Sequence, residues 1–309
     1  MPSDSTGDNI FRPKFLYKNK IRPTEIYTSS ATDTGDPAGV NIQMNQFQAN
    51  KLTDRNVDSL AQFAQKDGFE LTWIPATPQK ISRIILQNSS SKPFDNNRYD
   101  YYIRYRDTFG VDQELYPSVD VDITKLTDYN GIRNYYFEFD QVEITELRLA
   151  RSRGTNNPVG TPYTLGQWVA TNEISEFSNN MGHSIKDKPK LIQRLLRLSD
   201  GSTSKTFIRR IFNYQIKVSM VRGSDLDNLN TLERINRTDS FIFIPNPIEF
   251  QRDPSSGLNK TYILDSNEWW DGRANHYNFK RFELESFTAD YRINGKSGRL
   301  DIEQAGGVR

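Results

Sequence analysis

Short segments in which apolar and polar residues alternate recur along this chain, and they constrain its fold more than any other feature. Residues 69–74 place Phe69, Leu71 and Trp73 on one face, and residues 99–105 and 142–149 alternate in the same way. Successive side chains of a β-strand point to opposite faces, so a period of two predicts strands that bury one side. Pro, Gly and Asn separate these segments, which indicates a mainly β fold.

One segment has the pattern of a helix. Ser224 can cap its start, and Asp227 follows three residues later in the position of a capping box. The apolar residues with helical spacing are Leu226, Leu229, Leu232 and Ile235. The sequence therefore predicts one short helix in the second half of the chain.

Composition excludes several classes of protein. The chain of 309 residues has no cysteine, so disulfides, thiolate catalysis and cysteine-based metal sites are excluded. A formal net charge of +1 gives no general attraction to polyanions, so we predict no nucleic-acid partner. No signal-peptide pattern and no apolar run of about 20 residues are visible, so no membrane insertion is predicted.

Polarity and turn residues suggest how the chain is divided. We predict an N-terminal arm over 1–13, a β-sandwich over 14–180 and a second, β-rich domain over 188–294. A polar segment at 178–189 is the preferred linker, and the polar, Gly-rich residues 295–309 are predicted to be a C-terminal arm that orders on assembly.

Further strands are predicted in the second half. Residues 191–198 and 207–221 flank a turn and predict a hairpin pair. Residues 241–244 predict a buried strand that ends before Pro245, and 261–264 and 279–288 predict two more.

The order of these patterns resembles known families. An opening region at 41–54, an apolar strand at 81–88, an alternating strand at 144–149 and the segment NEISEF at 172–177 resemble a discoidin-like (F5/8 type C, galactose-binding-like) jelly roll. In the second half, a strand–strand–helix–strand order ending in FIFIP is similar to β domains of bacteriophage tail hub, distal tail and adaptor proteins. The resemblance implies a discoidin-like jelly-roll sandwich followed by a smaller β-rich domain with one short helix.

The same resemblance implies a role in assembly. It predicts a non-enzymatic structural component of a phage or phage-like tail, in the hub, adaptor or baseplate region of a virion assembled in the host cytoplasm. Its partners would be other tail proteins and copies of itself. The alternative is a glycan-binding module that attaches to a host surface. Extracellular discoidin domains are usually closed by a disulfide and often carry apolar spikes; this chain lacks cysteine and is polar at 33–39, so no phospholipid role is implied.

The densest aromatic cluster is the candidate contact region. The residues predicted to make interface or ligand contacts are Trp269, Trp270, Arg273, Tyr277 and, in the C-terminal segment, Lys296. Aromatic and Arg side chains are enriched in protein interfaces, so an interface is preferred to a sugar site, and a core role stays open.

Metal binding and catalysis are not predicted. Calcium prefers oxygen ligands, and the carboxylates that could supply them are Asp33, Asp36, Asp120 and Asp122. Asp120 and Asp122 also fit the outward positions of an alternating strand, so solvated carboxylates are the preferred interpretation and no cofactor is predicted. His183 and His276 are interpreted as surface residues. Acid pairs such as Glu143/Glu146 and Glu173/Glu176 arise by chance among 39 acidic residues, so no enzyme is predicted.

Basic residues cluster at two places, one of which contains Arg194, Arg197, Arg209 and Arg210. A groove for single-stranded nucleic acid needs such cations together with stacking rings. Because the total charge is nearly neutral, we interpret these clusters as solvated faces or as salt-bridged contacts between subunits.

Overall fold

The structure is a computed structural model, and the residues it describes have the following bounds. They are 14–29, 41–54, 59–63, 68–87, 101–116, 134–152, 163–176, 185–187, 190–197, 199, 201–211, 213–221, 224–236, 240–244, 249–251, 260–263, 281–292 and 295–304.

The chain as far as Glu176 forms strands β1 to β12, one turn of 3₁₀ helix at Pro23–Glu25 and a short helix, α1. These elements are β1 Lys14–Leu16, β2 Ile26–Ser29, β3 Asn41–Gln43, α1 Gln46–Lys51, β4 Ala61–Phe63, β5 Gly68–Trp73, β6 Gln79–Gln87, β7 Tyr101–Asp107, β8 Asp112–Tyr116, β9 Asn134–Ser152, β10 Tyr163–Leu165, β11 Gln167–Thr171 and β12 Ile174–Glu176.

The rest of the chain forms strands β13 to β21 and the helix α2. These elements are β13 Ile185–Asp187, β14 Lys190–Arg197, β15 Thr203–Ile211, β16 Asn213–Val221, α2 Ser224–Asn236, β17 Phe241–Ile244, β18 Glu249–Gln251, β19 Lys260–Ile263, β20 Arg281–Arg292 and β21 Gly295–Gln304. The predicted mainly β fold, a sandwich with little helix, is confirmed.

The 19-residue strand β9 organises the larger, ten-stranded sheet. Its first part, 134–144, pairs with β6, and its second part, 144–152, pairs with β5 and β7. The sequence predicted two strands here, at 135–139 and 142–149. They are one continuous strand, and its pairing with β6 shifts register between them, since Val142 lies opposite Ile81 but Glu138 lies opposite Arg83.

The apolar faces of these strands meet in one buried core. Trp73 of β5 and Trp168 of β11 are its two largest side chains, and both are fully buried. Leu147 and Leu149 of β9 lie in the same core, with Glu146 and Arg148 on the opposite side of the strand, as alternation requires. The alternation seen in the sequence therefore marks the buried face correctly.

A seven-stranded sheet joins the two ends of the chain. β1 pairs with β12 on one side and with β17 on the other, so Phe15 lies opposite both Ser175 and Phe243. Its ring packs against Phe241 and Phe243, with centroid distances of 5.5 and 5.1 Å. Next to it, Leu16, Ile85, Val169 and Ile242 form a second, small core. The residues before β2 are thus tied to a strand about 230 residues later in the sequence.

Helix α2 spans Ser224–Asn236, where the sequence predicted a short helix, and the capping role of Ser224 stays a prediction. Its residues Leu229, Leu232 and Ile235 are buried, and the helix lies against β12 and β20. The apolar spacing of the sequence thus identifies the face of the helix that packs on the sheet.

The strands predicted to form one hairpin at 191–221 belong to two different sheets. β14 and β15 pair with each other and form a two-stranded ribbon, whereas β16 belongs to the seven-stranded sheet between β13 and β21. Ile211 of β15 still pairs with Lys190 of β14, whereas Asn213, the first residue of β16, pairs with Glu303 of β21.

The segment from 295 onward was predicted to be an arm, but residues 295–304 form β21. This strand pairs with β20 and β16, and Arg292 lies opposite Gly295. Leu300 and Ile302 alternate with polar residues, and the link between β20 and β21 contains Asn294, a residue that turns favour, so the strand has a local cause. The domain boundaries themselves stay a prediction.

Candidate functional site

The hairpin formed by β7 and β8 presents the most exposed large apolar side chain of the described residues. Phe109 is 89% exposed at its tip, and Val111, beside it, is 51% exposed. The transfer of a large aromatic ring out of water is favourable. An almost fully exposed ring therefore suggests a surface that contacts a ligand or partner.

The backbone at this tip is held in one conformation. The Asp107 carboxylate accepts hydrogen bonds from the backbone N–H groups of Phe109 and Val111, each 2.9 Å long. The Asp107 N–H donates to the Val111 carbonyl oxygen, and the Gly110 N–H donates to the Asp107 carbonyl oxygen. Gly110 has φ +79°, in the left-handed region that favours glycine. The tip is therefore a closed turn with the Phe109 ring at its outermost point.

The base of the hairpin is fixed to β9. The Thr145 hydroxyl donates to the carbonyl oxygens of Arg106 and Asp107, at 3.2 and 3.1 Å. The register of β7 against β9 shifts here, since Arg106 lies opposite Glu146 but Asp107 lies opposite Ile144. Thr145 is the extra residue of this bulge, and it ties the tip to the longest strand of the sheet.

A closed ring of four charges lies at the same base; we call it the charged quartet. Arg106 donates to Asp112 through Nε at 2.8 Å and contacts Glu146 through Nη1 at 3.1 Å. Arg148 donates to Glu146 and lies 3.6 Å from Asp112. The formal charges cancel, and each carboxylate has an arginine on either side.

Exposure divides the charged quartet into an inner and an outer pair. The Glu146 and Arg148 side chains are 8% and 18% exposed, whereas those of Arg106 and Asp112 are 37% and 46% exposed. The hydrogen bond from Arg106 holds the pKa of Asp112 below its ordinary value, and it raises the pKa of Arg106. The outer pair is thus ionised and open to solvent, and each of its members is three residues from Phe109 along the chain.

Glu70 of β5 lies near the charged quartet, and its pKa is shifted in the opposite direction to that of Asp112. Burial raises its pKa above the ordinary 4.5, and the Glu146 charge adds to this while Arg148 opposes it. The folded protein therefore binds this proton more tightly than the unfolded chain does, so Glu70 lowers stability as pH rises from 4.5 through its folded pKa.

We expect Glu70→Gln to be more stable than wild type at about pH 7 and equally stable at about pH 4. Urea unfolding at the two pH values measures this. Glu143→Gln is the matched control, because Glu143 is an exposed carboxyl on β9. A stabilisation of the same size at both pH values would contradict the assignment to the Glu70 proton.

Most residues of the sequence-based site fall outside the residues that the structure describes. The predicted residues outside the described ranges are Trp269, Trp270, Arg273, Tyr277, Asp33, Asp36, Asp120, Asp122, His183 and His276. Lys296 is in β21, opposite Val221 of β16 and Tyr291 of β20. Their contact and ligand roles stay predictions. Among the described residues, no group of three or more His, Asp or Glu side chains is placed to hold a metal ion.

Sequence reasoning placed a turn at 108–110 but did not single out Phe109. A bulky aromatic between Thr108 and Gly110, where turns usually carry small or polar residues, was the available signal. The charged quartet had no such signal, because Arg106 and Asp112 come 34 to 42 residues before Glu146 and Arg148 along the chain and meet them only through the β7–β9 register.

Comparison with known proteins gives structural matches alone. No protein-family model and no curated protein sequence matches the chain. Among solved structures, similar chains include a fucose-binding module, SpX-3, of Streptococcus pneumoniae, which is 13% identical, with 51% of this chain and 99% of that chain covered. A pectin-binding carbohydrate-binding module is 12% identical, with 50% and 93% covered. The lectin-binding domain of Lectinolysin, complexed with Lewis b, is 14% identical, with 51% and 97% covered. The TM-score of each is 0.33.

None of the helices among the described residues is both long and apolar enough to cross a membrane.

Proposed function

We propose that the protein binds a saccharide through the tip of the β7–β8 hairpin and does not act on it as an enzyme. The observation that carries this proposal is Phe109, an 89% exposed ring in a closed turn beside an exposed Arg–Asp pair. Sugars present apolar C–H faces that stack on flat rings, and hydroxyls that pair with charged, planar side chains.

The geometry suits such a ligand for two reasons. The turn holds the Phe109 backbone in place before binding, so little backbone entropy is lost when a ligand stacks on the ring. The Arg106 guanidinium and the Asp112 carboxylate are partly exposed, and each has more N–H groups or lone pairs than its contacts within the charged quartet use. The proposal rests on Phe109 and not on the likeness to the solved structures of carbohydrate-binding modules.

Binding without catalysis follows from the charges at the site. Hydrolysis of a glycosidic bond uses two carboxyl groups that flank it, one of which keeps its proton at neutral pH. The arginines of the charged quartet favour the ionised form of Asp112, and the Glu146 side chain is buried between Arg106 and Arg148. The outer pair therefore offers hydrogen bonds rather than a proton for the leaving group.

We expect Phe109→Ala to weaken binding of the full-length protein to its glycan about tenfold or more, because it removes the stacking surface. A glycan array that includes fucose-containing glycans and pectin identifies the ligand, and titration calorimetry with that glycan measures the change. Phe47→Ala is the matched control, since Phe47 is also exposed, at 67%, but lies on α1 beneath the Lys51 ammonium. Asp107→Ala keeps the ring but opens the turn, and we expect it to weaken binding by a smaller factor.

Equal losses in the Phe47 and Phe109 variants would contradict a site at the hairpin tip. Binding that survives Phe109→Ala unchanged would also contradict it, and Trp269 and Trp270 would then be the next residues to replace. Far-ultraviolet circular dichroism of each variant separates loss of binding from loss of fold.

A second candidate function is that of a structural subunit of a phage or phage-like tail, located in the virion, with other tail proteins and copies of this chain as partners. The observation in its favour is the β14–β15 ribbon, which pairs with no other described strand and exposes Leu195 and Leu196. Mass spectrometry of particles sedimented from the source culture tests it. A fixed copy number, on the order of three, six or twelve, supports the role, and finding the chain in the soluble fraction alone overturns it.

A further inference from the structure

We infer that the outer half of the β14–β15 ribbon, residues 193–206, is an arm that docks on a second copy of this chain. The inference rests on the second candidate function, assembly, and names the surface and the occupant. β14 and β15 form their own two-stranded sheet, whereas every other long strand described belongs to one of the two large sheets. An isolated two-stranded ribbon is marginally stable in water, so one that persists gains from burial against something else.

The two exposed leucines of the ribbon lie on opposite faces. Leu195 is 64% exposed and Leu196 is 41% exposed, at consecutive positions of β14. Leu195 lies opposite Lys205, and Leu196 lies opposite Ser204. Since side chains alternate along a strand, each face of the ribbon carries one of these leucines. An occupant that buries both must contact the ribbon on two sides.

The ribbon is also strongly basic. Strands β14 and β15 contain six Lys and Arg residues and no Asp or Glu, and the turn between them adds Asp200, so residues 190–211 carry a net charge of +5. The whole chain carries +1, so all other residues together carry −4. Of the cations, Arg194, Arg197 and Lys205 are on the exposed outer half.

The basic ribbon of one copy and the remaining, acidic residues of another copy have opposite net charges. A ribbon of +5 is attracted to a body of −4, and two copies can make the contact reciprocally, as closed symmetric dimers do. Cations on an edge strand also prevent unwanted strand pairing, but that role does not account for the exposed leucines. A basic ribbon can enter the major groove of a nucleic acid; only one of its faces then meets the base edges, which leaves the other leucine unburied. A second copy accounts for the charge, and it buries both leucines if the ribbon enters a cleft of that copy and is covered on its two faces.

Sedimentation velocity of the purified full-length protein over a wide range of concentration tests the inference. We expect wild type to self-associate in a reversible, salt-sensitive way. The double substitution Leu195→Ser with Leu196→Ser, and separately Arg194→Glu with Arg197→Glu, should each raise the dissociation constant about tenfold or more. Matched controls are Ile42→Ser, a leucine-sized side chain 52% exposed outside the ribbon, and Arg22→Glu with Lys80→Glu, an equal change of charge on exposed residues.

Three outcomes overturn the inference. They are a monomeric wild type at every concentration, self-association that the ribbon substitutions leave unchanged, and equal weakening by the control substitutions. If the Arg variants instead lose binding to a duplex DNA probe while self-association persists, the ribbon is a nucleic-acid contact. The test uses purified protein and no particles, whereas the role in a tail is tested by the copy number in particles. A failure of self-association can therefore be distinguished from a failure of the tail assignment.

Discussion

The Trp73→Ala variant is expected to lose about 3–5 kcal/mol of its free energy of unfolding, because a fully buried indole is replaced by a methyl group in the main core. The same substitution removes a hydrogen bond that the Trp73 Nε1–H donates to the Glu25 carboxylate at 3.0 Å. That carboxylate also accepts from the Ala76 N–H, so it links β5 to the turn at Pro23–Glu25. Urea unfolding followed by far-ultraviolet circular dichroism measures the loss.

Trp73→Phe separates packing from hydrogen bonding. It keeps most of the buried volume and removes the donor, so we expect a loss of about 1–2 kcal/mol. If Trp73→Phe and Trp73→Ala cost the same, the hydrogen bond to Glu25 would dominate, and the packing argument for this core would be wrong.

The Phe15→Ala variant is expected to lose about 3–5 kcal/mol as well, since Phe15 is fully buried against Phe241 and Phe243. The loss should concentrate where β1 and β17 meet. Hydrogen exchange should therefore show faster exchange of backbone amides in β1 and β17 than in β5 and β9.

Phe109→Ala is the matched control for Phe15→Ala, because the same substitution at an exposed ring should change stability by less than about 0.5 kcal/mol. A loss below about 1 kcal/mol for Phe15→Ala would show that the β1–β17 contact adds little to the fold. Uniformly faster exchange in all strands would show that the two sheets unfold as one unit.

Local periodicity was enough to predict most strands and the longer helix. β5, β6, β7, β17 and α2 lie within a few residues of their predicted bounds, because each has a clear period in its own sequence. Helix α1 was not predicted, since its sequence QFQANK has no apolar face and its start depends on the Asn45 side chain, which accepts from the Phe47 N–H. Pairing between distant strands has no local signal, so the sheet that joins β1 to β17 could not be derived from the sequence.

The candidate site was less predictable than the fold. Phe109 becomes a candidate only when its exposure is known, and exposure depends on where the hairpin lies on the sheet. The charged quartet depends on the register of β7 against β9, which brings Arg106 opposite Glu146. Sequence favoured the region of Trp269 and Trp270 because aromatic density is visible without a structure.

The pairing of β1 with β17 has a consequence for the order of events during synthesis. Strand β1 emerges from the ribosome first, but one of its two partners follows about 230 residues later, a delay on the order of ten seconds or more. Contacts so far apart in sequence also form slowly. Until β17 arrives, the edge of β1 can pair only with β12, and Phe15 lacks the two rings that cover it. The nascent chain thus exposes the apolar strand β1 on one side until these later residues have been synthesised.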